Sequence, residues 1–227
     1  MIITEKYSIS VPEKGEVSAI SLIPENYHAA LIIAHGAGKD MSSDFICRLH
    51  EGIAEKGILT VKFNFPYTEQ GRKVPDRAKV LESTWNAVID TVLEKTALNR
   101  NQLFISGKSM GGRYASMIAA QPQELGGVIL YGYPLHAPAK ADKPRFEHLQ
   151  NVPAPMLFFQ GTRDSLCKLE ILKPLLKNLN PVPHLHIIEG GDHSFKVLKR
   201  LKRSEDEVFE ELITTSVQWI NGLGLLT

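Results

Sequence analysis

Two kinds of hydrophobic pattern follow one another along the chain. Residues 6–10 and 17–23 alternate polar and apolar side chains and are separated by Pro12-Glu13-Lys14-Gly15, which predicts an antiparallel hairpin at a sheet edge. The pattern then changes to short apolar runs at 29–34, 58–63, 103–106, 128–131, 156–159 and 185–188. These are too short for helices and mostly lack alternation, as parallel strands covered on both faces require. Between them, Leu81, Trp85, Val88 and Val92 share one helical face, and Val208, Leu212, Trp219 and Ile220 share another. A stretch at 113–120 is also helical in pattern. Strands alternating with amphipathic helices predict an α/β fold with a doubly wound, mostly parallel sheet, whose functional loops lie at the carboxyl ends of the strands. No linker, repeat or shift in composition divides the 227 residues, so 1–227 are expected to form a single domain.

Composition narrows the classes. Lys and Arg number 26 against 25 Asp and Glu, a net charge of +1 that argues against nucleic acid or an anionic membrane as partner. Cys47 and Cys167 stand far apart, outside any metal-ligand or disulfide spacing. No apolar stretch reaches the length of about 20 that spans a bilayer, and the first residues lack a leader pattern. The expectation is a cytoplasmic, soluble protein acting on a small molecule, with no cofactor and no metal.

The chemistry sits at the predicted strand ends. Gly107-Lys108-Ser109-Met110-Gly111 follows the 103–106 run and precedes a helix, the strand-turn-helix setting of a G-x-S-x-G nucleophile elbow. A serine hydroxyl needs a base, and the base an orienting carboxylate. Asp164 closes Gln160-Gly161-Thr162-Arg163-Asp164 after the fifth apolar run, and His193 closes Glu189-Gly190-Gly191-Asp192-His193 after the sixth. Asp192 is the rival carboxylate, but adjacent side chains point apart, which favours Asp164. The N–H of Met110 and one from His35-Gly36-Ala37-Gly38, Ala37 or alternatively Gly36, are the expected oxyanion donors. His35 is expected to brace its loop by hydrogen bonds.

Together His35-Gly36-Ala37-Gly38, Gly107-Lys108-Ser109-Met110-Gly111-Gly112-Arg113, Gly161-Thr162-Arg163-Asp164 and Gly191-Asp192-His193 resemble the α/β-hydrolase superfamily over nearly the whole chain. Phe63-Asn64-Phe65-Pro66-Tyr67, the elbow and Tyr133-Pro134-Leu135-His136 are similar to the small, cap-less, dienelactone-hydrolase-like branch that includes testis-expressed-type predicted hydrolases. The resemblance implies the α/β-hydrolase fold and a Ser109-His193-Asp164 triad. Dienelactone hydrolase itself has a cysteine nucleophile where this chain has Ser109.

Weaker signals remain. Tyr67, Lys108 and Tyr133 are candidate substrate contacts. Lys108 and Arg113 flank the nucleophile and are read either as attracting an anionic substrate or as structural. His184 and His186 share a strand face without a third ligand at recognisable spacing. The basic run 196–203, followed by Glu205, Asp206 and Glu207, reads as a solvated segment. Residues 132–155 carry Pro134, Pro138 and Pro144, which disfavour a helical cap over the site. The expected function is a serine hydrolase that cleaves a carboxylic ester or thioester of a small or polar acyl substrate. The alternatives are a non-catalytic interaction module on the same fold and a small serine peptidase.

Overall fold

Alternation in the opening segments leaves each strand one face to bury. In the computed structural model, which describes residues 1–137 and 141–224, they pair antiparallel as β1 (Ile2–Val11) and β2 (Gly15–Pro24), with Ile9 opposite Val17. The six apolar runs become β3 (Ala30–Ala34), β4 (Leu59–Phe63), β5 (Leu103–Lys108), β6 (Gly127–Tyr131), β7 (Met156–Gly161) and β8 (His184–Ile188). They form one sheet in the order β1-β2-β4-β3-β5-β6-β7-β8, antiparallel at β1/β2 and β2/β4 and parallel elsewhere.

Every residue of β3 is buried, so its period of two shows in which layer each side chain meets. Ala30, Ile32 and Ala34 join one core with α3 (Ala78–Lys95), α4 (Met110–Ala119) and α5 (Leu169–Lys177). Leu31 and Ile33 join the other with α1 (Asp44–Glu55) and α6 (Glu205–Gly222). The expected inward residues of α3, namely Leu81, Trp85, Val88 and Val92, are all buried. On α6, Val208, Leu212 and Ile220 are buried while Trp219 is half-covered, its ring edge against Phe104. A short α2 (Pro66–Glu69) follows β4.

The acidic trio after the basic run has a local purpose. Ser204 accepts a hydrogen bond from the Glu207 N–H at 3.1 Å while Glu207 accepts from the Ser204 N–H at 2.6 Å, closing a capping box at the start of α6. Glu205, Asp206 and Glu207 complement the positive end of the helix dipole. Between β6 and β7 the described residues hold one 3₁₀ turn, Glu147–Asn151, and no α-helix; Pro138 lies outside them. Among the described residues no helix is long and apolar enough to cross a membrane.

His50 of α1 is 2% exposed, and both its ring nitrogens lack hydrogen-bond partners. Burial, aided by the nearby Lys62 charge, lowers its pKa to about 3. The folded state therefore holds a neutral ring where the unfolded chain binds a proton at pH below about 6.5, so stability falls as pH drops through that value. At pH 5 the loss from this residue is about 2 kcal/mol relative to neutral pH. Urea denaturation at pH 7 and pH 5 checks it: His50→Leu should lose less stability on acidification than the wild type by about that amount. Equal losses would contradict the assignment.

Candidate active site

Between β5 and α4 the chain turns within one residue. Ser109 takes φ 52° and ψ −113°, on the left-handed side where a non-glycine residue costs about 1–3 kcal/mol. Its N–H donates to Tyr131 O at 3.0 Å, and its carbonyl accepts the Arg113 N–H at 3.0 Å, so the turn is held by strand and helix alike. The two flanking glycines leave room for it. A Cβ on Gly107 would lie 2.5 Å from the Gly112 nitrogen, and one on Gly111 would lie 2.6 Å from the carbonyl oxygens of both Ala34 and His35.

The loops after β7 and β8 converge on the Ser109 hydroxyl. His193 Nε2 is 2.8 Å from Ser109 Oγ, and its Nδ1 is 2.7 Å from Asp164 Oδ2. The Asp164 side chain is wholly buried and that of His193 a quarter exposed. Asp164 also accepts from Gln160 Nε2 at 2.5 Å and from the Leu166 N–H at 2.8 Å, which fixes the carboxylate before the imidazole meets it. Asp192 is occupied elsewhere: its Oδ1 accepts the N–H groups of Ser194 and Lys196 at 2.8 and 3.0 Å, closing its own turn.

The loop after β3 approaches from the other side. Ala37 is exposed and Gly36 buried, both border the cavity over Ser109, and a Cβ on Gly36 would lie 3.7 Å from the Ser109 Cβ. Met110 is the first residue of α4, so its N–H has no acceptor within the helix. His35 is fully buried. Its Nε2 accepts the Phe65 N–H at 3.2 Å, leaving Nδ1 to donate to Gly36 O at 3.0 Å. Burial lowers its pKa, which suits the neutral ring these bonds require.

A cavity of about 490 Å³ opens over Ser109 and His193. Phe45, Ile46, Leu166 and Phe209 form its apolar wall, while Lys39, Asp44, Lys196 and Glu205 bring both signs of charge to it. A groove of about 890 Å³ lies beside Arg100 and Pro153, which precede β5 and β7; it is therefore at the amino ends of the strands, away from Ser109. Of the candidate substrate contacts, only Lys108 borders the Ser109 cavity, and its Nζ donates to the His193 carbonyl. Tyr67 and Tyr133 do not border it: both are buried in the core shared with α3, α4 and α5, and their hydroxyls donate to Gly36 O at 3.4 Å and Arg145 O at 2.6 Å. His186 pairs with Glu211 at 2.6 Å, and no group of three His, Cys, Asp or Glu residues suited to a metal occurs among the described residues.

A family model for an alpha/beta hydrolase domain matches residues 27–221. The chain belongs to that family. Its fold is similar to that of a serine hydrolase homologue from Coxiella burnetii, at 20% identity and TM-score 0.75 over 94% of this chain and 96% of that one. It is also similar to a lidless α/β serine hydrolase from Xanthomonas campestris, at 19% identity and TM-score 0.75 over 95% and 94%. Dienelactone hydrolase from Anabaena variabilis matches at 21% identity and TM-score 0.76 over 97% and 98%.

Within this α/β-hydrolase frame one site residue is not singled out by its sequence context. Gln160, the last residue but one of β7, is wholly buried, with its amide nitrogen on Asp164 and its oxygen accepting the Tyr133 N–H at 3.0 Å. Its signal is a polar side chain near the end of an otherwise apolar strand, two polar atoms that burial obliges to find partners.

Proposed function

We propose that the protein is a serine hydrolase that cleaves a carboxylic ester or thioester by acyl transfer. The observation that carries the reading is the bridge through His193, 2.8 Å to Ser109 Oγ on one side and 2.7 Å to Asp164 Oδ2 on the other. Ser109 Oγ attacks the carbonyl carbon while His193 Nε2 takes its proton. The oxygen of the tetrahedral intermediate accepts the N–H groups of Met110 and Ala37, and the Asp164 carboxylate stabilises the imidazolium. His193 then returns the proton to the leaving alcohol or thiol, and the acyl group stays on Ser109. Water then attacks the acyl carbon as the same nitrogen takes its proton, the acyl–Oγ bond breaks, His193 gives that proton back to Ser109 Oγ, and the acid leaves. All four proton transfers use one imidazole, so the site needs no other acid or base. The unbroken sheet supports reading residues 1–227 as one domain around this site.

Triad members act as a unit, so Ser109→Ala should lower turnover on any accepted ester by about 10⁴- to 10⁶-fold with the fold retained. Asp164→Asn should cost about 10⁴-fold in kcat and Asp192→Asn far less. Steady-state rates on a panel of acyl esters and thioesters check both. A Ser109→Ala protein with wild-type turnover, or the reverse ranking of the two aspartates, would contradict the assignment.

The cavity supports a small or polar acyl group. Lys39, Asp44, Lys108, Lys196 and Glu205 all border it, and no α-helix among the described residues of 132–155 closes over it. Each methylene left in water forgoes about 0.8 kcal/mol, so a long chain gains little here. On p-nitrophenyl esters kcat/KM should peak at about C2 to C4. Activity climbing steadily to C12 would contradict this.

A further inference from the structure

Ser109 follows β5 and His193 follows β8, and two strands, β6 and β7, lie between them in the sheet. The two strands are therefore linked through three successive ladders and do not pair directly. The loop carrying His193 is a small closed turn, with the Asp192 N–H on Lys196 O at 3.1 Å and the Asp192 carboxylate on the amides of Ser194 and Lys196. Its start is tied to the loop after β7, where the Arg163 N–H donates to Gly191 O at 2.8 Å and the Gly190 N–H to Thr162 Oγ1 at 2.8 Å, and neither bond reaches the strand that presents Ser109.

Lys108 reaches the turn. From the last position of β5 its Nζ donates to the His193 carbonyl oxygen at 2.5 Å. The ring centroids of Phe45 and Phe195 lie 5.8 and 5.3 Å from the ammonium. On the β6 side the slot exists because Gly132 has no side chain: a Cβ there would stand 2.7 Å from Nζ and 3.6 Å from His193 Nδ1. We propose that Lys108 is a positioning residue, a tether from the strand that presents Ser109 to the loop that presents His193. The inference rests on the Ser109-His193-Asp164 reading. The ammonium's hydrogen bond within the protein goes to the backbone of the base itself, which is the contact a tether requires. A charge-assisted bond of this kind is about twice as strong as a neutral one, so the tether weakens when the lysine loses its proton. Burial lowers that pKa to about 8, against the pull of Asp164 and Asp192. The other titratable groups lining the cavity that Lys108 borders are His193, Asp44 on α1, Lys39, Lys196 and Glu205; β6 contributes the Tyr131 phenol, kept neutral by burial.

The test is the second-order rate of fluorophosphonate labelling against pH for wild type, Lys108→Met and Lys108→Arg, which needs no knowledge of the substrate. Wild type should lose rate above a pH of about 8. Lys108→Met should label about 10- to 100-fold more slowly at pH 7 and lack that alkaline limb, because the base is no longer held in place. Lys108→Arg, charged throughout, should keep its rate above pH 8. If Lys108→Met does not fold, by circular dichroism, the other two proteins decide: the same alkaline limb in both overturns the tether. Lys108→Met that labels at the wild-type rate with the wild-type limb overturns it too, while leaving the triad standing. A wild-type protein that does not label overturns the triad reading and the tether with it.

Discussion

The site depends on a close approach. β5 meets α4 with no space for a Cβ at Gly107, α4 meets the end of β3 with none at Gly111, and these contacts let Ser109 hold a backbone conformation that a serine in a relaxed turn would leave. The strain is tolerated because the residue is clamped from both sides, by Tyr131 O in the sheet and by the first turn of α4. This clamp leaves a hydroxyl at the carboxyl end of a central strand, beside an amide at a helix start. The remaining parts of the site are brought to that point by topology, since parallel strands place the loops after β3, β7 and β8 on one rim.

Around the elbow the interior is arranged so that polar groups support one another. Gln160 bridges the Tyr133 backbone and Asp164, and Asp164 holds His193. On the other flank, His35 and Tyr67 both hydrogen-bond to Gly36 O and so fix the loop that carries Ala37. A half-satisfied network in a dry interior is costly, so these side chains give the site one arrangement rather than several.

Much of this is legible in the residues. The hairpin, the six strand runs and the faces of α3 and α6 follow from period alone, and the observed strands differ from the apolar runs by at most two residues at an end. Ser109, Asp164 and His193 are legible because chemistry-bearing residues sit directly after strands, where periodicity stops and local spacing takes over. The rest depends on where side chains end up in space. Tyr67 and Tyr133 begin loops at the correct rim, yet their hydroxyls point to Gly36 and Arg145, a choice set by distant backbone carbonyls that no local pattern encodes. Lys108 likewise contacts a carbonyl 85 positions away. The acidic trio at 205–207 is visible in the pattern only as charge, although Ser204 three residues before Glu207 is a helix-start signature.

The central claim is that Ser109 is the nucleophile, and the most direct measurement is the mass of the protein after reaction with a fluorophosphonate, together with mapping of the modified peptide. The account predicts one adduct per chain, on Ser109, and none when His193 is replaced by alanine. An adduct on another residue, or an unmodified Ser109 in folded wild-type protein, would contradict it.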